Sequence, residues 1–202
     1  CKILDHDYLL NFKPPFFEIK KNDLFLKDKF LKSLNLSNIT IAIGIGGKLL
    51  EKRWSINKYI ALIKKIHKNA PLTNIIIFGG QKDKSDANKI TNSLKKNNIV
   101  SIVGKTSIEE SINIMSYCNF YLGNDCGIMH MASMLGLTCI ALFSIDQQRG
   151  VWEPFGEDNF IIRKNTDINL KRPISLKNIK NSMDLICVED VYDSYLNLIN
   201  RY

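Results

Sequence analysis

Between Ile39 and Phe143 the sequence alternates five short apolar runs with amphipathic stretches, and this alternation leaves few folds open. The runs are Ile39-Thr40-Ile41-Ala42-Ile43, Ile75-Ile76-Ile77-Phe78, Ile99-Val100-Ser101-Ile102-Val103, Phe120-Tyr121-Leu122 and Cys139-Ile140-Ala141-Leu142-Phe143. They are apolar at nearly every position, not at alternate ones, so both faces of each strand are expected to be buried. Between them, Ile56, Tyr59, Ile60, Ile63 and Ile66 recur at helical spacing behind Ser55, a suitable N-cap. A polar helix is predicted from about Lys84 to Lys96, with Ile90 and Leu94 inward. Ser107 and Glu110 form a capping box ahead of a helix carrying Ile108, Ile112 and Met115. A further helix over Ile128 to Leu135 is predicted to end at Gly136 as its C′ residue. The expected fold class is α/β, a Rossmann-like doubly wound parallel sheet with helices on both faces. Ligands in such sheets bind at the carboxyl ends of the strands. The glycines cluster there, as Gly44/Gly46/Gly47, Gly79/Gly80, Gly104 and Gly123.

The flanks differ from this core. Residues 1–38, with Pro14-Pro15, are too few for a domain and read as the end of a preceding unit plus a linker. Residues 39–180 form the predicted domain, and the stretch 165–181 at its end is polar and turn-rich. Residues 181–202 contain an amphipathic helix over Val188 to Asn200, with Val191, Tyr195, Leu198 and Ile199 on one side. No apolar run approaches the roughly 20 residues of a membrane-spanning helix. No secretory signal pattern is present, and the chain begins Cys1-Lys2 without an initiator Met, which reads as a fragment or a trimmed start.

The net charge of +8 admits nucleic acid, an anionic membrane surface or phosphorylated substrates as partners. The lysines are dispersed and no aromatic–basic recognition motif occurs, so no nucleic acid is expected. The excess of Lys, Asn and Ile fits an A/T-rich genome, and part of the charge suits a weak preference for a membrane surface. The five cysteines contain no CxxC pair, which points to reduced thiols and a cytoplasmic location.

Three constellations carry chemistry. The first is Gly123-Asn124-Asp125-Cys126-Gly127-Ile128-Met129-His130, where a strand passes into a helix. Backbone N–H groups at a helix start, aided by small residues and the helix dipole, attract anions. A diphosphate would fit against Cys126 and Gly127. Asp125 would repel phosphate but could accept hydrogen bonds from sugar hydroxyls; alternatively it only caps the helix. His130 either faces a ligand or is a satisfied core residue. The second constellation is Gly46-Gly47 followed by Lys52-Arg53-Trp54. The glycines allow close backbone approach, and Lys52 or Arg53 can neutralise phosphate. Trp54 reads as a packing residue. The third is Gly104-Lys105-Thr106-Ser107, a turn that could grip a base or ribose, although the capping box alone would account for it.

Other signatures fail. Gly44-x-Gly46-x-x-Leu49 lacks the third glycine of a dinucleotide fingerprint, and no acidic residue closes the second strand. There is no P-loop and no zinc spacing. Asp5-His6-Asp7 mimics an Asp-x-Asp metal motif but precedes the predicted domain, so no metal site is expected.

Taken in order, the motifs resemble glycosyltransferase family nine, the ADP-heptose:lipopolysaccharide heptosyltransferases. The series is Lys52-Arg53-Trp54, Phe78-Gly79-Gly80, Gly104-Lys105-Thr106-Ser107, Gly123 to Ala132, Ala141-Leu142-Phe143 and Trp152-Glu153-Pro154. The resemblance runs from about Pro14 to Ile199, and Gly-Asn-Asp-x-Gly-x-x-His is its specific part. It implies the C-terminal, donor-binding half of a B-type glycosyltransferase, with residues 1–38 ending the acceptor half and the terminal helix packing back toward it. It further implies inverting, metal-independent transfer from an ADP-sugar to lipopolysaccharide core at the cytoplasmic face of the inner membrane, with no cofactor. By position, Lys52 would contact the diphosphate and stabilise the leaving group, Thr106 would lie near the nucleoside, and Asp125 would bind the sugar. Cys126 and Gly127 would hold phosphate through backbone N–H. The implied donor-binding set is Gly46, Gly47, Lys52, Arg53, Gly80, Thr106, Ser107, Asp125, Cys126, Gly127 and His130. The general base would be an acidic residue of the other half, so the chain alone is expected to be inactive. Two departures stand out: Cys126 replaces the family's usual Ser or Thr, and Ser144 to Arg149 replaces a Gly and a Thr-containing turn. The rivals are a sugar-nucleotide epimerase of the same fold and a non-catalytic Rossmann-like binding module.

Overall fold

The computed structural model describes residues 27–145, 147, 149–164 and 182–201. Its centre is one six-stranded sheet: β1 Thr40–Gly44, β2 Asn74–Phe78, β3 Ile99–Ser101, β4 Phe120–Asn124, β5 Thr138–Leu142 and β6 Phe160–Ile162. The spatial order is β3-β2-β1-β4-β5-β6, and every neighbouring pair is parallel. Five of these strands answer to the five apolar runs. The sixth, Phe160–Ile162, was not expected; it spans only three residues and pairs along one side.

The helices are α1 Ile56–Asn69, α2 Lys84–Leu94, α3 Ile108–Met115, α4 Gly127–Met134 and α5 Val188–Ile199. Successive strand residues point to opposite faces, and this divides the core in two. On one face Ile41, Ile43, Ile75, Ile77, Leu122 and Leu142 pack with Tyr59, Leu62, Ile63 and Ile66 of α1, Ile90 of α2, and Val191, Tyr195 and Leu198 of α5. On the other, Ala42, Ile76, Phe78, Tyr121 and Ala141 pack with Ile114 and Met115 of α3 and Met129 and Ala132 of α4. Leu31 and Leu34, on the amino side of the boundary drawn at residue 38, are buried in this second core. The helix expected over Val188 to Asn200 forms, and its apolar face packs within the domain, with α1 its main helical neighbour.

The local signals behave unevenly. Gly136 is the C′ residue of α4: its φ is +76°, its N–H reaches Ser133 O at 3.0 Å, and Leu137 N–H reaches Ala132 O at 3.0 Å, the Schellman pattern. Ser107 and Glu110 close their capping box at 3.1 and 2.7 Å. Ser55 holds the N-cap position of α1, but its side chain makes no capping bond. The stripe expected on α3 is rotated: Ser111, Ile114 and Met115 are buried, whereas Ile108 is exposed. The first turn is held by its cap at the surface, so Ile108 stays outside the packed face. Asp5-His6-Asp7 and residues 165–181 lie outside the described residues.

His67 on α1 is buried, with Nε2 2.9 Å from the Thr73 carbonyl and Nδ1 without a hydrogen-bond partner. Burial lowers its pKa, opposed by the bond to Thr73. The unfolded chain therefore binds this proton more readily than the folded one. Stability is expected to hold above about pH 6.5 and to fall as pH drops below it, at up to ~1.4 kcal/mol per pH unit until the folded pKa is passed. Urea denaturation between pH 7.5 and 5 should show this slope in the wild type. His67→Leu should flatten it; an unchanged slope would discard the assignment.

Candidate functional site

The sheet order reverses between β1 and β4. The chain leaves β1 for α1 on one face and leaves β4 for α4 on the other, so a crevice opens between the loops at their carboxyl ends. The two strands meet there at Gly44 and Gly123, which are register partners. A Cβ on Gly123 would collide with the backbone of Gly44, and one on Gly44 would collide with the Tyr121 hydroxyl. Glycine is required at both positions because the strands and Tyr121 occupy the space of a side chain.

Asn124, the last residue of β4, ties the crevice together. Its Nδ2 donates to the carbonyls of Ile45 at 2.9 Å and Gly46 at 3.1 Å. Its Oδ1 accepts from Trp54 N–H at 3.0 Å and lies 3.0 Å from the Tyr59 hydroxyl. One buried amide thus fixes the glycine loop after β1 and the entry to α1. Trp54 is buried as expected, donating through Nε1 to Ile186 O at 2.9 Å.

The start of α4 lies between two cavities. One, of about 300 Å³, is lined by Gly46, Gly47, Lys48, Arg53, Gly79, Gly80, Gln81, Lys82, Asp83, Cys126, Gly127, Ile128 and Met131. The other, of about 270 Å³, is lined by Lys48, Leu49, Lys52, Asp125, Cys126, Gly127, His130 and Trp152. Cys126, Gly127 and Lys48 border both. Cys126, not Asp125, occupies the N-cap of α4, and no side chain caps this helix. A Cβ on Gly127 would meet nothing within 4 Å. The first N–H groups of a helix have no partner within it, and Gly127 and Ile128, which open this one, line the first cavity.

Charge around this helix start is arranged in pairs. Arg53 donates to the Gly47 carbonyl through Nε at 2.8 Å and through a terminal nitrogen at 2.5 Å. It also pairs with the buried Asp83 carboxylate at 2.8 Å, whose other oxygen accepts from Gly80 N–H at 2.9 Å. Arg53 therefore lines the first cavity while bracing the glycine loop. Lys52 Nζ lies 3.6 Å from Asp125 Oδ2, and His130 Nε2 lies 3.8 Å from Asp125 Oδ1. Gln147 Nε2 donates a hydrogen bond to Asp125 Oδ2. With Arg53 set against Asp83 and Lys52 against Asp125, Lys48 and Lys82 leave the cavities positive.

His130 borders the second cavity and meets the exposed Trp152 ring edge-on at 6.2 Å, so it is not a core histidine. The Cys126 thiol lies 3.7 Å from the Tyr121 hydroxyl. Burial raises the pKa of Cys126, and that of Tyr121 well above its ordinary value, so both stay protonated near neutral pH. Thr106 and Ser107 line neither cavity. The Thr106 hydroxyl is 2.8 Å from that of Ser111, and Ser107 caps α3. Sequence reasoning gives no site role to Asn124, Lys48, Asp83, Trp152 or Gln147. Lys48 directly follows Gly46-Gly47, a signal that was available; the partnerships of Asp83 and Gln147 had none. Among the described residues, no three His, Cys, Asp or Glu side chains gather as a metal would require.

Comparison with known proteins agrees with this architecture. The model of glycosyltransferase family 9 (heptosyltransferase) matches residues 11–180. The lipopolysaccharide heptosyltransferase 2 of Salmonella typhimurium is 27% identical over 95 residues, which are 46% of this chain and 27% of that protein. The structure of the Escherichia coli ADP-heptose heptosyltransferase II superposes with a TM-score of 0.75 at 19% identity, covering 93% of this chain and 54% of that one. The family 9 glycosyl transferase of Veillonella parvula gives 0.73 at 20% identity, covering 88% and 50%. The chain thus spans about half the length of these solved relatives.

Asn124→Ala should strand two carbonyls and one backbone N–H in the buried crevice. The expected loss is about 3 kcal/mol of stability, read as a lower midpoint in urea. A loss below about 1 kcal/mol would show that water replaces the amide at little cost.

Proposed function

The chain belongs to glycosyltransferase family 9, the heptosyltransferase family, and from that premise we propose that it holds the donor of an enzyme transferring heptose from an ADP-sugar to lipopolysaccharide core. The observation that carries the reading is the uncapped start of α4, with Cys126 and Gly127 bordering two cavities beside Lys48 and Lys52. Unpaired N–H groups and the positive end of a helix dipole suit a diphosphate.

In this reading the diphosphate lies against Cys126 and Gly127, and Lys52 exchanges its 3.6 Å partner Asp125 for phosphate oxygens. Released from Lys52, Asp125 accepts hydrogen bonds from the sugar. As the glycosidic bond breaks, negative charge grows on the departing diphosphate. Lys52 and the helix start meet that charge in place, without reorganisation, and the reaction needs no resident metal. Gly46, Gly47 and Gly80 form the floor of the first cavity, Arg53 braces it, and His130 faces the second. Inversion follows from attack by the acceptor hydroxyl opposite the leaving group, with its general base supplied outside this chain. The nucleoside contact of Thr106 and Ser107 rests on the resemblance alone. The acceptor glycan is lipid-linked, which sets the enzyme at the cytoplasmic face of the inner membrane.

Calorimetric titration tests the reading. ADP and ADP-heptose should bind the chain without metal, Mg²⁺ should change little, and UDP should bind more weakly. Lys52→Ala should weaken ADP binding by about tenfold, the loss of one charge-assisted contact. Binding that requires Mg²⁺, or that ignores Lys52, would overturn the leaving-group assignment.

A further inference from the structure

Gln147 lies in the turn after β5, where the sequence departs from the family pattern. It is only 8% exposed. The turn is anchored: Ser144 Oγ is 2.7 Å from Ser182 Oγ, Ser182 Oγ accepts from Ile145 N–H at 3.2 Å, and Gln147 N–H reaches Ser144 O at 3.3 Å. From this held backbone the side chain donates through Nε2 to Asp125 Oδ2. The opposite amide orientation would set oxygen against carboxylate oxygen, so Asp125 decides which end of the amide faces it. The consequence falls on the other end. Gln147 Oε1 is buried with no hydrogen-bond partner. A buried carbonyl left without a donor is costly and uncommon, and this one lies beside the acidic group that borders the second cavity.

The chemistry of the missing donor is constrained. Asp125 and Gln147 Oε1 both only accept hydrogen bonds. A phosphate group also only accepts, so it cannot satisfy either. A polyol can, because neighbouring hydroxyls can donate to the two acceptors together. We propose that Gln147 is a specificity-determining residue for the sugar of the donor: Oε1 accepts one sugar hydroxyl while Nε2 holds Asp125 to accept another. This rests on the donor-binding reading above and assigns the Asp125 side of the site to the sugar and the Gly127 side to the diphosphate. A site built to hydrogen-bond a hydroxyl rejects analogues that lack it, because its own buried groups are then left unpaired.

The test is calorimetric titration of the chain and two variants with ADP and with ADP-heptose. Gln147→Met keeps the volume and removes both polar atoms. It should weaken ADP-heptose by about tenfold and leave ADP within about twofold. Its thermal midpoint should be no lower than that of the wild type, since the orphan acceptor is gone. Gln147→Glu keeps the shape but sets a second carboxylate against Asp125, and should show the same sugar-selective loss. Equal weakening of both ligands would make Gln147 a support of the fold, and no weakening of either would leave it without a role; both results overturn the inference while wild-type binding upholds the donor-binding reading. Failure of the wild type to bind either ligand overturns that reading and the inference with it.

Discussion

The close contact between the ends of β1 and β4 is the constraint on which the rest depends. Gly44 and Gly123 leave no room for side chains between the strands, and Asn124 spans the junction with hydrogen bonds to Ile45, Gly46 and Trp54. Because α1 and α4 depart on opposite faces from this point, the crevice is a product of topology. What the sequence adds is rigidity. The amide of Asn124 fixes the glycine loop, Arg53 braces the same loop through the Gly47 carbonyl, and Asp83 holds Arg53 and Gly80 together. The cavity floor is therefore held by buried polar contacts, which in a low-dielectric setting favour one arrangement.

Two helix starts in one chain show how local sequence separates scaffold from site. At α3, Ser107 and Glu110 satisfy the free backbone donors between them. At α4, Cys126 stands at the N-cap without a capping bond, and Gly127 opens into empty space. A Ser or Thr at position 126 would offer a hydroxyl to the same donors or to a ligand. Cys126 has a thiol in that place, which burial keeps protonated near neutral pH.

Much of the fold was legible because continuous apolar runs are a strong signal for strands buried on both faces. Phe160-Ile161-Ile162 escaped notice: three apolar residues amid polar sequence carry no periodicity, and the strand exists because β5 offers an edge. Ile108 misled because capping, not packing, decides the first turn of α3. The site was half legible. Asp125 and the helix start follow directly on β4, and Gly46, Gly47 and Lys52 follow β1, so each group is marked by its place after a strand end. Asn124 lay inside the same motif, but its partners come from 65 to 79 residues away. Nothing near Arg53 in sequence announces its pairing with Asp83, thirty residues on. Gln147 depends on a contact with Asp125 that only the folded turn creates. Such long-range polar partnerships leave no periodicity behind, whereas hydrophobic burial does.

The central claim is that the start of α4, held at the junction of β1 and β4, takes the diphosphate. Amide chemical-shift mapping by NMR, with ADP titrated into the isotope-labelled chain without metal, tests it most directly. The account predicts the largest shifts at Gly127 and Ile128, followed by Gly46, Gly47 and Lys48. Shifts concentrated at the amino ends of the strands, for example around Thr138 and Asn159 where a separate surface cavity lies, would contradict it, as would a spectrum that ADP does not perturb.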